Sequence, residues 1–278
     1  MAMDIDVALV VDLVAGQFPQ HSDLPVSPVE PGGNDNRTFR IGADLSARLP
    51  SAAGYVPAVE KEHRWLPELA SELPVPIPDP VGLGAPGSGY PWPWSLNRWL
   101  PGSDLLNVQQ VDRTGLAASL GAFLKALHGI DGRHGPLAGE HSFYRGTSLL
   151  HFDSEARSVL RAPDEEKVWE AAIASDFGGP PTWFHGDLAP GNILIEDGRL
   201  SAVIDWGTSG VGDPACDLTI AWTYFDASDR QVFAKEAGVD ADTWSRARGW
   251  ALWKALITGG AESDRVVREI LKDPVLAG

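Results

Sequence analysis

Residues Trp183–Asp217 read WFHGDLAPGNILIEDGRLSAVIDWGTSGVGDPACD, and the fold is decided inside this stretch. The runs ILIE and RLSAVI flank Asp197-Gly198, a pair favoured at the two-residue turn of a β-hairpin. With that turn setting the register, Glu196 stands opposite Arg199 and Asn192 opposite Val203. Asp205 follows Val203 on the same face, because side chains alternate along a strand. Asn192 and Asp205 then emerge as diagonal neighbours at the hairpin's open end, their backbones roughly 7–8 Å apart. Asp187 precedes them on a loop that Pro190 and Gly191 keep from becoming helical.

Two oxygen donors at one end of a hairpin suit Mg²⁺, which takes one or two protein ligands and completes its shell with water and phosphate. A third carboxylate, not needed for the metal, can orient and deprotonate a hydroxyl. Asp197 is read as a turn residue only. Asp187, Asn192 and Asp205 are read together as a chemical set.

The spacing His185-Gly186-Asp187-x-x-x-x-Asn192 matches the kinase catalytic loop H-R-D-x-x-x-x-N, with Gly186 in place of the arginine. Asp205-Trp206-Gly207 stands where kinases carry D-F-G. The pair HGDLAPGNIL and VIDWGTSGVGDPACDL closely resembles the aminoglycoside phosphotransferase family. A looser likeness extends over NDNRTFRIG and LGAFLKALHGID. The resemblance implies an α+β, protein-kinase-like bilobal fold: a small N-terminal lobe with an antiparallel sheet plus helix, and a larger, mostly helical C-terminal lobe. It implies lobe boundaries of 1–96 for nucleotide binding, 97–102 for a hinge, and 103–278 for the catalytic loop and acceptor site.

Carried over residue by residue, the resemblance makes Asp187 the catalytic base and Asn192 and Asp205 the Mg²⁺ ligands. His185, Asp213 and Asp217 would support the loop. Gly32 to Thr38 would form the turn over the phosphates, with Asn36 within reach of their oxygens; an ordinary β-turn is the competing reading. The strand position usual for a phosphate-binding lysine falls on Arg48, whose planar fork is not equivalent to an ammonium. Glu62 would be its partner, with Glu60 as the alternative. Asn97, Trp99 and Leu100 would meet the base of ATP or GTP, although Trp99 reads equally well as core.

The 278 residues carry 22 Lys+Arg against 38 Asp+Glu, a net charge of −16. That balance excludes a basic stripe for nucleic acid. Between Thr182 and Asp242 stand eleven acidic and three basic residues, so the acidity gathers around the expected chemistry. Such a field favours a cationic acceptor, and Asp226 and Asp229 are its candidate contacts. One cysteine, Cys216, excludes an internal disulfide and a multi-cysteine zinc site. The acidic start is unlike a secretory signal, and no apolar run reaches the about 18 residues of a membrane span. The chain reads as cytoplasmic, without a membrane or nucleic-acid partner.

Helical patterns cover Asp4–Phe18 (capped by Asp4 or Asp6), Val59–Leu73, the run of Leu116, Leu120, Leu124 and Leu127 with Gly129 as its C-terminal cap, Ser154–Leu160, Asp164–Ser175, Asp213–Tyr224, Ala241–Thr258 and Ser263–Lys272. Thr38–Ile41 and Leu45–Leu49 read as a hairpin. Pro74–Pro101 reads as irregular. Within it Gly82-Leu-Gly84-Ala-Pro-Gly87 matches a dinucleotide fingerprint only literally, since prolines surround it and no helix opens there. The function expected is a kinase moving the γ-phosphate of ATP or GTP to a hydroxyl of an aminoglycoside-like acceptor. The alternatives are a macrolide, choline or homoserine type of acceptor, or a non-catalytic nucleotide-binding member of the fold. A protein kinase is disfavoured by the missing A-P-E element and the missing arginine before Asp187.

Overall fold

The alternation of apolar residues in TFRI and LSARL requires a sheet with one buried face, and the first unit of the chain is built on it. The structure, a computed structural model, describes residues 5–30, 32–33 and 35–273. It divides into two compact units, the first comprising Met1–Ser71, Pro76–Pro101 and Val203–Gly207.

In the first unit α1 (Val7–Gln17) is followed by β1 (Val26–Pro28), β2 (Asn36–Ile41), β3 (Leu45–Pro50), α2 (Val56–Ala70), β4 (Pro80–Gly84) and β5 (Trp94–Arg98). The strands form one antiparallel sheet in the order β1-β2-β3-β5-β4. Phe39 pairs with Ala47, and Ala47 with Leu96, so all three share a face. That face is the core, closed by Val10, Leu13 and Val14 of α1. Asp6 caps α1 through Leu9 N at 2.8 Å, while Asp4 lies outside the described residues. The opposite face follows from the same register: Thr38 pairs with Arg48, Arg48 with Ser95, and Ser46 with Asn97. It is polar, and Arg48 stands in its middle.

The irregular reading of Pro74–Pro101 is corrected by β4 and β5. β5 is buried on both faces, and in β4 glycines fill the buried positions while Val81 and Leu83 are exposed, so no apolar–polar alternation survives in the sequence. The literal fingerprint lies in β4 and the turn after it. A Cβ on Gly84 would fall 2.1 Å from the ring of Trp94, so this glycine admits an indole rather than a phosphate. The helix expected at Val59–Leu73 is displaced to Val56–Ala70 and runs through Pro67, held by buried Leu66 and Leu69.

The second unit comprises Glu72–Val75, Gly102–Ala202 and Thr208–Gly278. It carries β6 (Ser103–Asp104), α3 (Arg113–Gly129), α4 (Asp153–Val159), α5 (Pro163–Ala174), β7 (Thr182–Phe184), β8 (Ile193–Glu196), β9 (Arg199–Val203), β10 (Gly210–Gly212), α6 (Ile220–Thr223), α7 (Ala227–Ala237), α8 (Ala241–Thr258) and α9 (Ala261–Lys272). The segment Val203–Gly207, which begins at the last residue of β9, belongs to the first unit. The turn between β8 and β9 is Asp197-Gly198, both at positive φ (50° and 74°), as a type I′ hairpin requires.

Two helical readings need correction. Asp213–Tyr224 is a 3₁₀ segment, Pro214–Thr219, followed by the four-residue α6. α7 was not anticipated, although Asp226 caps it and Gly238 terminates it in the left-handed conformation. Among the described residues no helix is long and apolar enough to cross a membrane.

Candidate active site

A short loop joins β7 to β8, and its backbone is fixed by one buried carboxylate. Asp217 is fully buried and accepts from Gly186 N at 2.6 Å and His185 N at 3.0 Å. His128 Nε2, from α3, lies 3.0 Å from the same carboxylate. Gly186 has φ +86°, and a Cβ there would stand 2.9 Å from the carbonyl oxygen of Thr208. An arginine at this position is therefore excluded by space as well as by conformation. The ring of His185 is buried, and its Nδ1 accepts from Asp187 N at 3.2 Å.

This frame projects Asp187. Its Oδ1 accepts from Lys254 Nζ of α8 at 2.6 Å and its Oδ2 from Asn192 Nδ2 at 3.2 Å. The same Nδ2 donates to the Asp187 carbonyl at 2.9 Å, so the oxygen is what the Asn192 amide has left to offer a cation. The Asp187 side chain keeps 35% of its surface exposed. Burial works to raise its pKa, but the charge and hydrogen bond of Lys254 prevail and hold it below the usual carboxylate value. The result is an ionised, oriented carboxylate open to a ligand.

Asp213 caps the 3₁₀ segment through Ala215 N at 3.1 Å and pairs with Arg246 of α8 at 2.8 Å. Burial raises its pKa against the pull of Arg246. Asp226 and Asp229, the candidate acceptor contacts, have other work. Asp226 accepts from Ser228 N and Asp229 N as the cap of α7. Asp229 is 4% exposed, bonded to Thr114 Oγ1 at 2.8 Å and paired with Arg113. Burial withdraws Asp229 from solvent, whereas Asp226 caps α7 from an exposed position.

In the first unit Arg48 reaches two carboxylates from the polar face of the sheet. Its Nη1 lies 3.2 Å from Glu62 Oε2 of α2, and its Nη2 lies 2.9 Å from Asp205 Oδ1. Asp205 adopts φ +66°, a left-handed conformation that aspartate tolerates better than most residues. Lys61 donates to the Gly207 carbonyl at 2.7 Å, so α2 grips the Asp205-Trp206-Gly207 segment by its backbone as well. Glu60, the alternative partner of Arg48, is exposed. Asn36 opens β2 opposite Pro50. Asn97 is 3% exposed within β5, and its Nδ2 has no hydrogen-bond acceptor. Trp99 lies under the Arg40 guanidinium at 4.5 Å, and Leu100 is half-buried. Pro31 and Asn34, in and before the expected phosphate turn, lie outside the described residues.

The side-chain oxygens of Asn192, in the second unit, and of Asp205, in the first, are each hard donors of the kind Mg²⁺ prefers. No group of three or more His, Cys, Asp or Glu side chains able to hold a metal occurs among the described residues.

The sequence model of the Phosphotransferase enzyme family matches residues 26–250, most of the chain. The chain belongs to the phosphotransferase enzyme family. The chain is similar to an aminoglycoside 3'-phosphotransferase of Escherichia coli, 30% identical over 119 residues that cover 37% of the chain and 41% of the relative. It spans less than half the length of the curated relatives it matches, between 9% and 49%. Among solved structures, macrolide 2'-phosphotransferase MphH of Brachybacterium faecium is 27% identical, with a TM-score of 0.67 over 96% of this chain and 99% of that one. The GDP complex of aminoglycoside 2'-phosphotransferase-IIIa superposes with a TM-score of 0.72 over 96% and 97% at 18% identity. The fold of the chain is thus the α+β, kinase-like fold of those structures.

Sequence reading gave no sign of Lys254, His128 or Arg246. Each stands on a helix far along the chain from its carboxylate, where no local spacing announces the contact.

Proposed function

We propose that this chain is a small-molecule kinase that transfers the γ-phosphoryl group of ATP or GTP to a hydroxyl of an aminoglycoside-like acceptor. The observation that carries the reading is Asp187, an ionised carboxylate held on both oxygens yet open to a ligand. Such a group accepts the proton of a bound hydroxyl and aims its oxygen at phosphorus. Arg48 binds phosphate oxygens with its planar fork, and Glu62 fixes the fork's direction. Asn192 and Asp205 are the residues that would hold Mg²⁺, which neutralises phosphate charge when bound. Catalysis in this reading is positioning and charge compensation. Nucleotide use is supported by solved relatives described as complexes with GDP, ADP and ATP. An aminoglycoside acceptor is supported by relatives described as complexes with kanamycin and gentamicin, and by the acidic field of residues 182–242.

A macrolide acceptor is the second reading, favoured by the 27% identity to MphH across nearly the whole chain. A coupled turnover assay with ATP and with GTP, against kanamycin, erythromycin, choline and homoserine, separates the acceptors. Asp187→Asn should lower turnover on the accepted compound by about 10²–10⁴-fold. Unaltered turnover in that variant overturns the assignment of the base, and turnover on erythromycin alone overturns the aminoglycoside reading.

A further inference from the structure

The partner on Oδ1 of Asp187 comes from a helix 67 residues away. Lys254 stands within α8, an 18-residue helix. Its neighbours Trp250 and Trp253 are 1% and 4% exposed, so the helix is set in the core and the lysine is delivered from a rigid base. The Arg145 guanidinium lies 4.9 Å over the Trp253 ring, which puts a second cation on the residue preceding Lys254.

A hydroxyl held by Asp187 must meet a phosphoryl group that is itself anionic. Carboxylate and phosphoryl oxygens repel unless a cation stands with them. The two residues after Asp187, Leu188 and Ala189, carry no charge. Lys254 does, and it is already in contact with the base. Its side chain is 37% exposed, and an ammonium has three donors, of which Asp187 takes one.

We propose that Lys254 is a catalytic residue, its ammonium bridging Oδ1 of Asp187 and the oxygens of the transferring phosphoryl group; this rests on Asp187 being the base of the kinase reading above. In the step, the acceptor oxygen forms a bond to the γ-phosphorus while the bond from that phosphorus to the β,γ-bridging oxygen breaks. The proton of the hydroxyl passes to Asp187, and the electron pair of the broken bond leaves with the nucleoside diphosphate. Lys254 exchanges no proton. It compensates charge on the group in flight and holds the carboxylate on line. A half-exposed ion pair contributes little to stability, so a purely structural role and a catalytic one separate cleanly.

The test compares the wild type with Lys254→Met and Lys254→Arg, using ATP and GTP with kanamycin and erythromycin as acceptors. Nucleotide Kd is measured by titration and folding by thermal melting. Lys254→Met should lower kcat by about 10²–10³-fold, with nucleotide Kd changed less than about threefold and a melt close to wild type. Lys254→Arg should recover at least a tenth of wild-type kcat. An active wild type whose Lys254→Met variant keeps kcat within threefold overturns the role of Lys254 and leaves the kinase reading standing. Equal loss in both variants, accompanied by loss of the folded form, also overturns it in favour of a structural pair. A wild type that transfers to neither acceptor and hydrolyses neither nucleotide overturns the kinase reading, and the role of Lys254 falls with it.

Discussion

Arg48 Nη2 lies 2.9 Å from Asp205 Oδ1, across 157 positions of sequence. The contact ties the strand residue of the sheet's polar face to the segment that resembles the kinase metal-binding triplet, and Nη1 ties the same guanidinium to Glu62. A lysine has the charge but not the fork, and it cannot span both carboxylates in fixed geometry. Arg48→Lys should weaken nucleotide binding about tenfold, the loss of about 1.4 kcal/mol. Arg48→Met should in addition lower unfolding stability by about 1.5–3 kcal/mol, because buried Glu62 loses a charged partner. Nucleotide titration and urea unfolding read the two effects, and wild-type affinity in Arg48→Lys would remove Arg48 from the phosphate site.

Asp217 holds the loop that carries Asp187 through two backbone N–H groups, and His128 holds Asp217. An asparagine there presents one acceptor oxygen and one amide nitrogen, so one of the two loop N–H groups would face a donor. Asp217→Asn is expected to lower stability by about 1–3 kcal/mol and to lower turnover further than the melt explains. His128→Ala, which leaves both backbone contacts in place, should do less of each. Equal effects in the two variants would assign the bracing to the histidine.

How much of this was legible in the sequence depends on how far apart the partners lie. The hairpin over residues 193–203 was readable because Asp197-Gly198 states its turn locally, and both residues adopt the positive φ that the pair announces. β4 and β5 were not readable, because β5 is buried on both faces and shows no alternation, while β4 puts glycines at its buried positions and Val81 and Leu83 at its exposed ones. The set of Asp187, Asn192 and Asp205 came from spacing within one segment. Their cations, Lys254 and Arg48, are supplied by tertiary packing, and a lone lysine in WALWKALIT carries no mark of its partner. Asp229 misled for the converse reason. Net charge over a segment does not distinguish a carboxylate facing solvent from one buried beside a threonine.

Gly186 replaces the arginine usual in kinase catalytic loops, and the space around it explains why. With φ +86° and a carbonyl oxygen 2.9 Å from where a Cβ would stand, Gly186→Ala must shift the loop that carries Asp187. The neighbouring atom is backbone, so relief by side-chain movement is not available. Stability should fall by about 1–3 kcal/mol, and kcat should fall more than KM rises, because the displaced group is the base of the proposed reaction. A variant with wild-type kcat would show that the loop absorbs the methyl group without moving Asp187.

Lys61 gives the protein a pH dependence of definite sign. Burial pushes its pKa down from 10.5 to about 8, against the opposing pull of Glu62. Below about pH 8 the lysine is protonated in both folded and unfolded chains, and the folded state bears the whole penalty of an ammonium in a poorly hydrated place. Between about 8 and 10.5 the folded chain has released the proton and the unfolded chain still holds it. The unfolded state then binds more protons, so this residue's contribution makes stability rise with pH across that window. Above 10.5 both forms are neutral and the penalty is gone. Lys61→Met lacks the titration, so the stability of the wild type relative to the variant should improve steadily from pH 8 to 10.5. Other groups that ionise in the same range are common to both proteins and cancel in the comparison. Urea unfolding of the pair at pH 7, 9 and 10.5 measures the gap, and a gap independent of pH would place the Lys61 ammonium in well-hydrated surroundings despite its 2.7 Å contact with Gly207.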